Sequence, residues 1–242
     1  QNIDKFIMPG GLWLTTGVLR HIAKLHYSKT MCFDGGSNSI IFSTVGPASQ
    51  QGDIQIALDN IIKIEKDKKY AILRGREKIQ NRISGYDPGS PDLFYINKKS
   101  SLDLGDSLEE KYYLLMLNVV WDGAALGLHA VYNEMNEWLV ETVKWVLENT
   151  NKKIFIKCHP GESAKQISSS ESYDKLLINK FGSNKRIIFI DSNTSLTAYE
   201  LIYNSFCVLG FSSSSIVEAV VLDRPAIIVS KAYYSKMGFV FA

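Results

Sequence analysis

From residue 111 onward, short apolar runs alternate with stretches of helical spacing, and no other feature limits the possible folds of the chain as much. KYYLLMLNVV (111–120), KIFIKCH (153–159), RIIFID (186–191), FCVLGF (206–211) and PAIIVS (225–230) each have the length of a β-strand. The first is apolar nearly throughout, as strands covered on both faces are. Between these runs lie four helical stretches. YNEMNEWLVETVKWVLEN (132–149) places Trp138, Leu139, Thr142, Trp145 and Val146 at helical spacing, and a second helix falls within ESAKQISSSESYDKLLINKF and ends near Gly182. SLTAYELIYNS (195–205), with Asn193, Thr194 or Ser195 as its expected N-cap, and SSSIVEAVVLD follow. Such alternation predicts right-handed βαβ units and a parallel sheet.

The first part of the chain is also α/β but less regular. LWLTTGVLRHIAKLH (12–26) reads as a helix and KTMCFD (29–34) as a short strand. A Gly/Ser-rich stretch with a second strand at SIIFSTV comes next, and from Asp53 one long helical pattern runs to residue 83. Residues 84–110 change in composition to Pro, Gly, Ser and Asp, as in a linker or surface loop. The expected organisation is a partial N-terminal α/β lobe over 1–85, a linker over 86–110 and a Rossmann-type lobe over 111–242. Residue 1 is Gln and the last residues, KMGFVFA, reach no clear terminating element, so the chain reads as part of a longer protein.

Among 242 residues, 27 are Lys or Arg and 25 Asp or Glu, for a net charge of +2. That balance argues against a nucleic-acid binder, which carries a strongly basic domain or face. No apolar run has the eighteen or so residues that a membrane span needs. Cys32, Cys158 and Cys207 are odd in number and far apart, with no zinc spacing; Cys158 and Cys207, within apolar runs, read as small core residues, and the setting as reducing and cytoplasmic.

The candidate chemistry collects where strands end. In an open α/β sheet, ligands bind outside the carboxyl ends of the strands. His159 stands at such an end, followed by Pro160, Gly161 and Glu162; its imidazole can donate to a phosphate. Ser212, Ser213, Ser214 and Ser215 open a helix directly after another strand, where hydroxyls and free N–H groups suit an oxyanion. Glu218, one turn into that helix, can reach back toward ribose hydroxyls or cap the serines. Asp191, Asn193, Thr194 and Ser195 form a third polar turn, a candidate wall for a nucleobase. Trp121 and Asp122 end the first strand of the second half, and Asp34 ends a strand of the first; the two aspartates are candidate catalytic carboxylates. A turn-bound histidine and ordinary helix caps would account for many of the same residues. There is no P-loop, GxGxxG turn or GxSxG elbow. His21, His26 and His129 read as structural.

NVVWDGAALG, the EWLVETVKW helix, IFIKCHPGE, SLTAYELI and VLGFSSSSIVEAVVLDRPAIIV together resemble bacterial capsular polysaccharide biosynthesis proteins, including Kdo transferases. The His-Pro and serine motifs are similar to those of bacterial sialyltransferases and, more loosely, teichoic acid glycerophosphotransferases. The resemblance covers about 115–235 well and the first hundred residues weakly. It implies the nucleotide-sugar half of a GT-B-type glycosyltransferase. On that likeness His159 and its turn, with Ser213 and Ser214, would hold the nucleotide phosphate, and the turn at 191–195 would approach the base. Two positions depart from the pattern: Lys157 stands where Arg is frequent, and the turn is HPGE where Ala before Glu is frequent.

The expectation is a glycosyltransferase that moves a sugar from a nucleotide donor, CMP-linked donors being the first to consider, to a glycan or lipid-linked acceptor at the bacterial surface. The nucleotide-sugar is the substrate, with no further cofactor and no metal, since no DxD-like pair ends a strand. Lys24 and Lys29 could help dock the chain at the inner membrane. A glycerophosphotransferase, a nucleotide-sugar epimerase and a non-catalytic nucleotide- or glycan-binding module remain as alternatives.

Overall fold

The computed structural model describes residues 4–26, 29–35, 40–83, 110–120, 126–163, 172–194 and 196–242. The chain divides into two compact units, Gln1–Pro91 and Asp92–Ala242. The expected linker, 86–110, lies outside the described residues except for Glu110.

In the N-terminal unit, β1 (Lys5–Pro9), α1 (Leu14–His26) and β2 (Lys29–Gly35) form one βαβ unit with β1 and β2 parallel. The third strand, β3 (Ile40–Ser43), runs antiparallel to β2. The helical pattern expected from Asp53 to 83 is two helices, α2 (Ile54–Ile62) and α3 (Glu65–Ile83). Asp53 sits at the N-cap of α2 but does not cap it. Its carboxylate instead accepts hydrogen bonds from the Thr44 N–H at 2.6 Å and the Val45 N–H at 3.0 Å, tying down the end of β3. The core of this unit is small: Met8, Ala23, Cys32 and Ala48, with Phe6 against them.

The C-terminal unit is a five-stranded sheet in the order β6-β5-β4-β7-β8. The strands are β4 (Tyr112–Met116), β5 (Ile154–Lys157), β6 (Ile187–Ile190), β7 (Ser205–Gly210) and β8 (Ala226–Ile228), and every pairing is parallel. The helices are α4 (Met135–Asn149), α5 (Tyr173–Phe181), α6 (Ala198–Asn204) and α7 (Ser215–Val221).

Side chains alternate across a strand, and here both faces are covered. Tyr112, Leu114 and Met116 of β4 and Phe155 of β5 join Leu201 and Ile202 of α6 and Ile216 and Ala219 of α7. Leu115 and Leu117, with Ile154 and Ile156, join Trp138, Leu139, Val143 and Val146 of α4 and Leu177 of α5. This two-sided burial is why the strand sequences carry almost no polar residues. Polar anchors fix the layers. The Tyr112 hydroxyl donates to the Leu201 carbonyl at 2.9 Å, and its ring stacks on Phe155 with centroids 3.8 Å apart. Arg186 donates to the Leu147 and Thr150 carbonyls, each at 2.6 Å, closing the C-terminus of α4.

The expected N-cap of α6 is corrected. The helix begins at Ala198, and its cap is Thr197, whose hydroxyl accepts from the Glu200 N–H at 3.2 Å while the Glu200 carboxylate accepts from the Thr197 N–H at 2.7 Å. TAYE is a capping box. Thr194 makes a smaller turn, accepting from the Leu196 N–H at 3.1 Å. Asn193 precedes that turn, and Ser195 lies outside the described residues.

Candidate functional site

The strand order reverses beside β4: β5 and β6 extend the sheet on one side, β7 and β8 on the other. In open parallel sheets the crevice for a ligand opens at such a reversal, beyond the carboxyl ends. Running along that edge are the turn after β6 with Asp191, the turn after β5 with His159, Asn118 beyond β4, the serines after β7 and Ser230 after β8.

His159 is half-buried and precedes a short 3-10 turn, Pro160–Ser163, which carries Glu162. Its Nδ1 accepts from the Gly161 N–H at 3.0 Å. A neutral ring so bonded carries its own proton on Nε2 and presents a donor there. A Cβ on Gly161 would lie 3.0 Å from Nδ1, so a larger residue would push the ring by a few tenths of an ångström. Cys158 beside it is buried, and its thiol is pushed up to about 12, first by burial and then by the nearby carboxylates of Glu162 and Asp191. The ends of β5 and β6 therefore share one electrostatic neighbourhood. Lys157, at the same strand end, is only 5% exposed, an unusual place for a cation.

Across β4 stands the serine turn. Ser212 and Ser213 are buried, Ser214 is exposed at the N-cap of α7, and Ser215 is its first residue. Two distant residues hold the turn. The Asn118 side-chain oxygen accepts from the Ser212 N–H at 3.2 Å, and the Tyr234 hydroxyl donates to the Ser213 carbonyl at 2.6 Å. Both bonds are buried. The Ser213 hydroxyl accepts from the Ser215 N–H at 3.3 Å. The Ser212 hydroxyl is buried and has no hydrogen-bond partner among the described residues. Gly210 lets α7 start close to the strand, since a Cβ there would lie 2.7 Å from Ile216. Glu218 is buried; its charge helps raise the proton affinity of Tyr233, after burial, the larger cause.

The turn after β6 is bonded mainly to itself. The Asp191 carboxylate accepts from the Asn193 N–H at 2.8 Å, and the Asp191 carbonyl accepts from the Thr194 N–H at 3.2 Å. Asp34 is exposed within β2 of the other unit, where its carboxylate accepts from its neighbour, the Gly35 N–H, at 2.9 Å. Trp121 and Asp122 lie outside the described residues.

A cavity of about 230 Å³ lies beside the ends of β4 and β7, lined by Val120, Met135 and Phe211 and by the polar His129, Asn133 and Glu134. It is smaller than the ~300–1,000 Å³ typical of a whole drug-sized ligand. His129, read from the sequence as structural, bridges to Ser230 and sets its ring edge-on to Phe211 at 5.9 Å. Sequence reasoning also missed Asn118 and Tyr234, and noted Lys157 only as a departure from the family pattern. Asn118 was detectable as a lone amide within an apolar run, and Lys157 as a lone cation within another; nothing local marks Tyr234. Among the described residues no group of three or more His, Cys, Asp or Glu side chains gathers as metal ligands.

Two solved structures align with almost the whole chain. KpsC of Thermosulfurimonas dismutans, a beta Kdo 2,4 transferase, aligns over 97% of this chain and 71% of its own at 14% identity, with a TM-score of 0.65. The beta Kdo 2,7 transferase of the same organism's KpsC aligns over 98% and 68% at 15% identity, with a TM-score of 0.57. The fold is that of the Kdo transferases. It is the GT-B-type α/β fold expected of a capsule polysaccharide protein, with a parallel five-stranded sheet and flanking helices. At such identities the likeness is one of fold. No protein-family model and no curated protein sequence matches the chain.

Proposed function

We propose that the C-terminal unit binds a nucleotide-sugar and that the chain transfers the sugar to a bacterial surface polysaccharide. The observation that carries this reading is the meeting of His159 and the serine turn at the carboxyl edge of one parallel sheet, on the two sides of its central strand. Both are built as donors: the imidazole by the bond that occupies Nδ1, the serines by a backbone held from Asn118 and Tyr234.

In the reaction the acceptor hydroxyl forms a bond to the anomeric carbon while the bond from that carbon to the nucleotide phosphate oxygen breaks. Charge builds on the leaving phosphate, and fixed N–H and O–H donors aimed at it stabilise the transition state. His159, with Pro160 and Glu162 shaping its turn, and Ser212 to Ser215 would supply that stabilisation. Glu218 would meet the ribose, and the turn of Asp191, Asn193 and Ser195 the base. The cavity beside Phe211 has room for one ring of the donor. Asp34 and Asp122 are the candidates for the carboxylate that takes the acceptor proton. The nucleotide-sugar needs no further cofactor in this scheme, and a CMP-linked donor is the first to test. The acceptor is a glycan or a lipid-linked glycan. No described helix is long and apolar enough to cross a membrane, and the chain would work in the cytoplasm, peripheral to the inner membrane.

Calorimetric titration with CMP, CDP, UDP and GDP tests the reading. One nucleotide should bind, and His159→Ala or the double change Ser213→Ala/Ser214→Ala should cost about 1.5–3 kcal/mol, the worth of hydrogen bonds to a charged group. Equal binding by wild type and both variants would remove these residues from the site. Unchanged nucleotide binding in a chain that never turns over a donor would favour a non-catalytic binding module.

A further inference from the structure

The helix α1 packs on its sheet through the wrong face for a buried helix. At about 100° per residue, Leu14, Val18, Ile22 and Leu25 fall within about 80° of arc. They are 88%, 59%, 46% and 70% exposed. The side turned to the sheet holds Ala23, buried, with Thr16 and Arg20 half-buried. Arg20 is committed to that side, its Nε donating to the Gly11 carbonyl at 2.7 Å. Trp13, just before the helix, is half exposed. The apolar stripe thus points outward while small and polar residues make the internal contact.

The exposed ionisable side chains of α1 itself are all basic, His21, Lys24 and His26, with the Lys24 Nζ donating to the Val45 carbonyl at 3.4 Å. Between Asp4 and Asp34 the chain has no carboxylate side chain, but it has Lys5, Arg20, Lys24 and Lys29, together with His21 and His26. The last turn of α1 carries Lys24 and His26. An outward apolar stripe bordered by cations, with an adjacent tryptophan, is the pattern of a helix that lies in the plane of a membrane interface. The basic side chains of α1 match an anionic lipid surface.

We propose that α1 seats the chain on an anionic bilayer, with Leu14, Val18, Ile22 and Leu25 entering the acyl boundary, Trp13 at headgroup level, and Lys24 and Lys29 against lipid phosphates. The inference names the surface for the peripheral association proposed above. It does not depend on the donor site, which belongs to the other unit, so either can fail without the other.

The test is co-sedimentation of the whole chain with vesicles of phosphatidylglycerol and phosphatidylethanolamine, against vesicles of phosphatidylcholine alone. The chain should bind the anionic vesicles at least about tenfold more tightly, and less so as salt screens the charges. The triple change Leu14→Ser/Val18→Ser/Leu25→Ser should abolish binding, and Lys24→Glu/Lys29→Glu should remove the preference for anionic lipid. The altered positions are exposed, and an unchanged circular dichroism melt will verify folding; calorimetry with the nucleotide should be unaffected. Absence of wild-type binding to anionic vesicles would overturn the proposal, as would equal binding by the triple variant. So would a dimer in light scattering that the triple variant converts to a monomer without vesicle binding, which would assign the stripe to a second copy.

Discussion

His159 and Gly161 act as a pair. The glycine N–H fixes the imidazole, and the missing side chain makes room for it. Gly161→Ala should therefore damage binding through the histidine. The expected loss of nucleotide affinity is about tenfold, equivalent to ~1.4 kcal/mol, with the chemical-denaturation midpoint nearly unchanged; an equal fall in both would mean that the glycine serves folding only. The three thiols give a second residue-scale prediction. Burial raises all of them, Cys158 to about 12 and Cys207 to about 11 from an ordinary 9.0, Cys32 in the same direction. The folded state then holds protons that the unfolded chain releases. This contribution is fully present below pH 9 and is lost as pH rises through 11 to 12. Urea midpoints measured from pH 8 upward should fall across that window, and Cys207→Ala should flatten the fall. At this scale the sequence was partly legible. Strand-end residues such as His159 and the serines were readable because they interrupt apolar runs. Tyr234 was not, because its bond to Ser213 joins residues of different elements and leaves no local pattern.

Elements were legible wherever periodicity was strong, and their ends were not. Each strand expected in the C-terminal unit is present, but most are shorter than their apolar runs, because the last residues of a run leave the ladder to form the turns that carry the site. FCVLGF, for example, ends its ladder at Gly210, and Phe211 goes to the cavity wall. The short β1 was unread, as KFIMP offers little more than five residues ending in proline. The cap of α6 was placed too early because three polar residues precede Thr197, and only the Glu200 partner separates a true cap from a turn. Two predictions belong here. Thr197→Ala should destabilise the unit by about 1 kcal/mol, as loss of a helix cap does. Arg186→Ala should cost more, about 1–3 kcal/mol, since the Leu147 and Thr150 carbonyls both lose a charged donor. Urea midpoints of the two variants would rank them, and the reverse order would show that water replaces Arg186 freely.

For the whole molecule, the sequence announced a parallel α/β sheet but not which strand would lie at its centre. Strand order depends on the side of β4 on which the chain returns after β6, and no local pattern encodes that choice. The two units also differ greatly in core. The N-terminal one rests on Met8, Ala23, Cys32 and Ala48, whereas the C-terminal one buries two extensive clusters, one on each face of its sheet. Hydrogen exchange should be slowest for amides of β4, β5 and β7 and far faster throughout β1 to β3; comparable protection in the two units would contradict this.

The central strand has a kinetic consequence. β4 is the first strand of its unit to be made, yet one of its two neighbours, β7, comes last but one, and the bond from Asn118 to the Ser212 N–H spans 94 residues. Pairings so distant in sequence form slowly, because the closure of a long loop precedes any gain from the contact. The half of the site on β5 can form from early neighbours, but the serine half has to wait for β7 and for the tyrosine that follows β8. In a refolding experiment, competence to hold a ligand should therefore be among the last properties to return.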